Sequence, residues 1–208
     1  MRAVVNQEER KNPMAFRPRR WHLFPVILAL AIAYGYFFSP GHQSPVTNPA
    51  PAQVSVPGPL SIQGPYFSDH DRIADRIIAA INHTRRTLDI AIYSLTQPNI
   101  TAAIEAAHRR GVRVRIVSDE GQSRERHSET AYLKSTGIAV RLSNGFRGER
   151  SIMHNKFAIF DGDRVETGSF NWTTSATSYN FENAILITIP EVAARYQKEF
   201  DHIWAQAR

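Results

Sequence analysis

Apolar positions follow three rhythms along the chain, and each predicts a different kind of structure. From Trp21 to Phe38 (WHLFPVILALAIAYGYFF) they form an almost unbroken run of 18 residues without Lys, Arg, Asp or Glu. Nothing polar divides this run into faces, as an amphipathic core helix would require. Residues 39–65 hold seven of the chain's 12 prolines and few large apolar side chains, so they read as an extended, solvated spacer. From Tyr66 onward, helical and strand periods alternate.

Within that last region Ser68 or Asp69 is placed to cap a helix whose apolar face is Ile73, Ile77, Ile78 and Ile81. Thr87 to Ser94 alternates as a strand does. Pro98 to Arg110 predicts a helix with proline in its first turn, stopped by Gly111. Val112 to Val117 reads as a strand, Glu125 to Ser135 as a helix and Ile138 to Leu142 as a short strand. Ile152 to Phe160 and Arg164 to Ser169 flank the turn Asp161-Gly162-Asp163. Asn183 to Ile189 predicts a further strand, and Glu191 to Ala207 an amphipathic C-terminal helix. Strands interleaved with helices imply an α/β fold, an α-β-α sandwich on a mixed sheet. The organisation that follows is a basic tail over 1–20, a membrane anchor or signal segment over 21–38, a Pro-rich linker over 39–65 and one folded domain over 66–208.

Charge changes this picture less than the net value of +6 suggests. Residues 1–65 carry six basic residues and two acidic ones, a net of +4. The 19 basic and 17 acidic residues that follow leave the folded domain at +2. Bulk charge is therefore weak evidence for a nucleic-acid partner. With no cysteine, disulfides and cysteine-ligated zinc are excluded. Arg17, Arg19 and Arg20 stand directly before the apolar run, so the basic side is expected to stay cytoplasmic while the rest crosses the membrane. The run length leans toward an uncleaved anchor, with a cleaved signal peptide as the alternative. The expected location is the bacterial periplasm or the periplasmic face of the inner membrane.

The chemistry concentrates in His154-x-Lys156-x4-Asp161-x6-Gly168-Ser169-x-Asn171. His154 and Lys156 are two apart on a predicted strand and leave the same face; Ser169 and Asn171 share a face of the returning segment. A hairpin then gathers an imidazole, an ammonium, a hydroxyl and a carboxamide. That set suits a phosphodiester, with one nucleophile, one fixed cation and neutral donors for the non-bridging oxygens. No HExxH motif or paired-carboxylate cluster is present, and neither metal nor cofactor is expected. Arg147 and Arg150 lie in a Gly-flanked loop that leads into the predicted strand, near the rim of such a site. Phe146 and Trp172 are candidates for base stacking, with core or rim packing as the plainer role. His83, His108, His127 and His202 lack comparable company and read as surface or helix residues. Arg85-Arg86 and Arg109-Arg110 read as ordinary element ends.

This arrangement resembles the signature of the phospholipase D superfamily, and its fixed positions stand at the family's spacing. A single copy in a short chain is similar to the bacterial Nuc-type endonucleases, and more distantly to the mitochondrial cardiolipin-hydrolase-like proteins. The similarity runs from about Tyr66 to Trp204 and includes Tyr93-Ser94-Leu95-Thr96 and Asn180-Phe181-Glu182-Asn183. The resemblance implies that His154 attacks phosphorus, that Lys156, Ser169 and Asn171 hold the phosphoryl oxygens, and that Glu182 fixes the imidazole tautomer. It implies a structural role for Asp161, which organises the hairpin, and relief of crowding by Gly168. One histidine does not serve readily as both nucleophile and leaving-group acid, so the resemblance implies a homodimer with two His154 side chains facing across a two-fold axis. The substrate expected first is nucleic acid, cleaved without strong sequence preference. Membrane phospholipid is the alternative, and a non-catalytic nucleic-acid or phospholipid binding module is an alternative of another class.

Overall fold

A computed structural model describes residues 60–148 and 150–208. The basic tail, the apolar run and most of the Pro-rich stretch lie outside the described residues. Among the described residues, no helix is long and apolar enough to cross a membrane.

In chain order the elements are β1 (Ser61–Phe67), α1 (Ile73–His83), β2 (Thr87–Ile92), α2 (Pro98–Arg109), β3 (Arg113–Asp119) and α3 (Glu120–Ser123). They continue as α4 (Thr130–Ser135), β4 (Ala139–Ser143), β5 (Lys156–Phe160), β6 (Arg164–Gly168), α5 (Thr174–Ser178), β7 (Asn183–Thr188) and α6 (Pro190–Gln206). The strands form one mixed sheet in the order β1-β7-β6-β5-β2-β3-β4. β2, β3 and β4 run parallel, and the remaining neighbours pair antiparallel.

Both faces of the sheet are covered, which is why its central strands are almost wholly apolar. Leu88, Ile90 and Ile92 of β2 point to one side, into a core completed by Ile77 and Ile81 of α1 and Ile100 and Ile104 of α2. Ala91, Val117, Phe157, Ile159 and Val165 point to the other side and meet Ala193, Phe200 and Ile203 of α6. The expected α-β-α sandwich is therefore present. On the α6 side a buried Asp89 accepts two hydrogen bonds from Arg115 at 2.8 and 2.7 Å, and one from Gln197 at 3.0 Å. Arg115 also donates to Asp201 at 2.9 Å, so a polar cluster fastens the helix to the sheet.

Four boundaries differ from the periodicity reading. The expected linker end at residue 65 falls inside β1, whose mostly exposed residues pair with β7. Neither Ser68 nor Asp69 caps α1; its N-cap is Arg72, with no side-chain hydrogen bond. Instead the Ser68 hydroxyl donates to Asn180 O (2.6 Å) and accepts from Glu182 N (2.9 Å). The helix expected over 125–135 begins only at Thr130, after the separate short helix Glu120–Ser123. Glu129 N donates to Leu95 O at 3.0 Å, a tertiary bond that ties the intervening loop to the end of β2. The strand expected from Ile152 begins only at Lys156, because β2, its ladder partner there, ends at Ile92 opposite Lys156.

Glu166 is buried in β6 with both carboxyl oxygens unpartnered. Burial pushes its pKa up to about 8; the nearby Trp172 opposes this slightly, without reaching hydrogen-bonding geometry. The native carboxyl is thus neutral across a range where the unfolded chain's glutamate, near 4.5, is already ionised. The contribution of Glu166 to stability falls as pH rises through that window and levels off above about 8. Glu166→Gln should flatten this decline and stabilise the protein at pH 8.5 by on the order of a few kcal/mol. Urea unfolding of both proteins at pH 5 and pH 8.5 checks it, and an equal slope in the two would refute it.

Candidate functional site

The candidate site forms where β5 begins and β6 ends. Phe157 pairs with Thr167, so the residues before β5 and after β6 lie side by side. His154 stands just outside the ladder, exposed, and Lys156 is the first strand residue and buried. The expectation that both leave one strand face is met in effect, since both reach the ring of Tyr93. The His154 imidazole meets that ring edge-on at 4.7 Å between centroids, and Lys156 Nζ lies 5.2 Å from its centre. Lys156 Nζ also donates to His154 O at 2.9 Å.

The segment before His154 is pinned from beneath. Asp119, buried at the end of β3, accepts from Gln122 N with one oxygen and from Met153 N with the other, both at 3.0 Å. Sequence reading passed over Asp119, because an acid after an apolar strand looks like a helix cap. It is one; its second oxygen is the part no spacing rule finds.

Gly168 ends β6 against β7 so closely that a β-carbon would lie 2.1 Å from Asn183 O. Any side chain there would push the strands apart, so the expected relief of crowding is real, although what crowds the position is β7 backbone. Beyond it, Phe170 and Trp172 turn into the core while Ser169 and Asn171 share the opposite side, as their parity predicts. Trp172 is fully buried, which excludes it from stacking on a ligand. Its carbonyl accepts from Thr96 N at 2.9 Å and Gln97 N at 3.0 Å, so the Ser169–Trp172 segment crosses over β5 to reach the end of β2. Asn171 Oδ1 has no partner among the described residues.

Glu182 is engaged on the Ser169 side. Its Oε2 accepts from the Ser169 hydroxyl at 2.6 Å and its Oε1 from Asn180 Nδ2 at 3.2 Å. Among the described residues no hydrogen bond joins Glu182 to His154. Its charge nevertheless reaches Lys156: burial pushes that ammonium below the ordinary lysine range, and Glu182 acts in the opposite direction.

Asp161 is not part of this group. It sits at the far end of β5, roughly 16 Å from Lys156 at about 3.3 Å per strand residue. In a left-handed turn (φ 52°), its carboxylate accepts from the backbone N–H groups of Arg85, Arg86 and Thr87 at 2.6–3.2 Å. It stands apart from the other residues of the motif and anchors the start of β2 to the β5–β6 turn.

Arg147 and Arg150 are exposed on a loop closed by Ser151, whose hydroxyl donates to Asn144 O at 2.8 Å and accepts from Arg147 N at 3.1 Å. Arg147 lies over Phe146, 5.4 Å from the ring centre. A cleft of about 300 Å³ beside His154 is lined by Phe146, Ile152 and Asn155 of this stretch and by Glu199 and His202 of α6. His202, read as an ordinary helix residue, thus faces the site's neighbourhood; only the packing of α6 brings it there. Among the described residues, no group of three or more His, Asp or Glu side chains is placed to hold a metal ion.

Residues 61–204 match the family described as cardiolipin synthase, PLD-like domain. The mitochondrial cardiolipin hydrolase of Chlamydomonas reinhardtii is 35% identical over 148 residues, 71% of this chain and 65% of that protein. The Homo sapiens mitochondrial cardiolipin hydrolase is 35% identical over 131 residues, covering 63% of this chain and 50% of that protein. The chain thus spans less than two thirds of the length of these curated relatives. Among solved structures, Nuc from Salmonella typhimurium, a phospholipase D family member, is 35% identical, with a TM-score of 0.65 over 72% of this chain and 97% of that one. NucT from Helicobacter pylori is 26% identical, with a TM-score of 0.66 over 71% and 98%. The chain belongs to the PLD-like family.

Proposed function

We propose that this protein is a metal-independent phosphodiester hydrolase that works through a phosphohistidine on His154, with nucleic acid as its substrate. The observation that carries the reading is the placement of His154, Lys156, Ser169 and Asn171 at one end of the central strands, two on each side of the β5–β6 pairing. An exposed imidazole beside a buried ammonium and two neutral polar groups matches what in-line attack on phosphorus requires. Lys156, Ser169 and Asn171 take the non-bridging oxygens. When Ser169 turns its hydroxyl to phosphate it releases Glu182, whose carboxylate is then free to accept from the His154 imidazole and fix its tautomer.

A homodimer completes the reaction. A second His154 across a two-fold axis protonates the leaving alcohol and then activates the water that cleaves the phosphoenzyme. Phe146, Tyr179 and Phe181, exposed at 81%, 83% and 90%, stand on the loops around these strand ends and support their burial by a partner. Nucleic acid is favoured by the exposed Arg147 and Arg150 at the rim, which suit phosphate contacts without sequence readout. Phospholipid is the second reading, favoured by the relatives named cardiolipin hydrolase. The apolar run Trp21–Phe38, with its preceding arginines, supports attachment to the membrane with the domain on the periplasmic face.

The purified full chain, incubated in EDTA with plasmid DNA, RNA and cardiolipin vesicles beside His154→Ala, tests the proposal. Nicking or RNA cleavage that falls at least about a thousandfold in the variant is the expected result. Phosphatidic acid release with no nucleic-acid cleavage would move the substrate to lipid. Activity that vanishes in EDTA and returns with magnesium or zinc would overturn the mechanism. A second prediction concerns Lys156. Glu182→Gln removes the charge that holds the ammonium up, so Lys156 should titrate at lower pH than in the wild type. Lysine-side-chain NMR reads this directly, and an unchanged or higher titration point would contradict it.

A further inference from the structure

One aromatic ring packs against both basic groups of the site, His154 and Lys156. Tyr93 follows the last residue of β2 and is half-buried. Its ring packs against the His154 imidazole at 4.7 Å and 65°, and Lys156 Nζ stands 5.2 Å from its centre. The His154 ring has no hydrogen-bond partner among the described residues, and Glu182 is occupied by Ser169 and Asn180. The packing on Tyr93 is therefore a restraint on imidazole orientation that is in place before substrate arrives. Tilted aromatic pairs have a preferred geometry, and an ammonium near a ring gains from its π charge where water is scarce.

Tyr93 is itself held firmly. Leu95, two residues on, is buried and bridges to Trp172, and Thr96 N and Gln97 N both donate to Trp172 O. The segment that carries the ring is thus bonded to the segment that carries Asn171. Among the described residues the Tyr93 hydroxyl makes no hydrogen bond, so the contacts belong to the ring.

We propose that Tyr93 is a positioning residue: its ring sets the attack orientation of His154 and steadies the ammonium of Lys156. This rests on the reading of His154 as nucleophile. A misoriented imidazole lowers the rate of attack and leaves binding nearly untouched, because a near-attack geometry matters only for the chemical step.

The test compares Tyr93→Phe and Tyr93→Leu in the full chain, with bis(4-nitrophenyl) phosphate as a small substrate. Tyr93→Leu should lose on the order of 10- to 100-fold in kcat, with KM within about twofold. Tyr93→Phe should keep kcat within about threefold. Histidine-side-chain NMR should show the His154 ring resonances displaced in Tyr93→Leu, through loss of the aromatic ring current, and restored in Tyr93→Phe, with thermal unfolding similar in both. If Tyr93→Leu fails to fold, Tyr93→Met takes its place with the same expectations. Wild-type kcat in the folded Leu or Met variant would overturn the proposal, as would a Phe variant as impaired as Leu. His154→Ala serves as the control. If it is inactive while Tyr93→Leu turns over normally, only the Tyr93 assignment fails. If His154→Ala turns over like wild type, the nucleophile reading fails and takes this one with it.

Discussion

At Gly168 the backbones of β6 and β7 approach so closely that a β-carbon would sit 2.1 Å from Asn183 O and 2.8 Å from Ala184 Cα. That approach lets one carbonyl, Asn183 O, accept from both Ser169 N (3.1 Å) and Phe170 N (3.3 Å). The chain leaves β6 with Ser169 beside Glu182 and with Phe170 and Trp172 driven into the core. A bulky side chain at 168 would wedge the strands apart and move the whole Ser169–Trp172 segment, since two buried aromatics anchor its far end.

From this point the site closes into a circuit of short contacts. Trp172 O takes two N–H groups from the segment after β2, which carries Tyr93. Tyr93 meets His154 and Lys156, and Asp119 holds Met153 immediately before them. Each polar side chain proposed to act on phosphate is thus tied, within a few residues, to a buried anchor. Backbone hydrogen bonds and packing would preorganise the proposed chemistry. Asp161 does a parallel task at the opposite end, where its carboxylate joins β2 to the β5–β6 turn and fixes the register that aligns Lys156 with Ile92.

Much of this could be read from residues alone. Period and punctuation located α2 almost to the residue, and the parity of Ser169 and Asn171 against Phe170 and Trp172 predicted which side chains face outward. Spacing alone placed His154 and Lys156 near Ser169 and Asn171. What escaped depends on tertiary partners. β1 is an exposed edge strand with a Gly-Pro interruption, so it carries no apolar alternation; only pairing with β7 makes it a strand. The helix expected over 125–135 starts only at Thr130, where Glu129 N is taken by Leu95 O. Ser68 looks like a helix cap but clamps the Glu182 loop, and Asp119 looks like a cap and is also a strut. Short-range rules assign such side chains to their nearest neighbours in sequence, whereas the fold assigns them to neighbours in space.

The proposed mechanism passes phosphorus through His154 in two displacements. The stereochemical course of hydrolysis tests this most directly, with a cleavable phosphodiester made chiral at phosphorus by sulfur and an oxygen isotope. Two in-line displacements predict net retention of configuration. Net inversion would mean that water attacks phosphorus directly, and would contradict a phosphohistidine at His154.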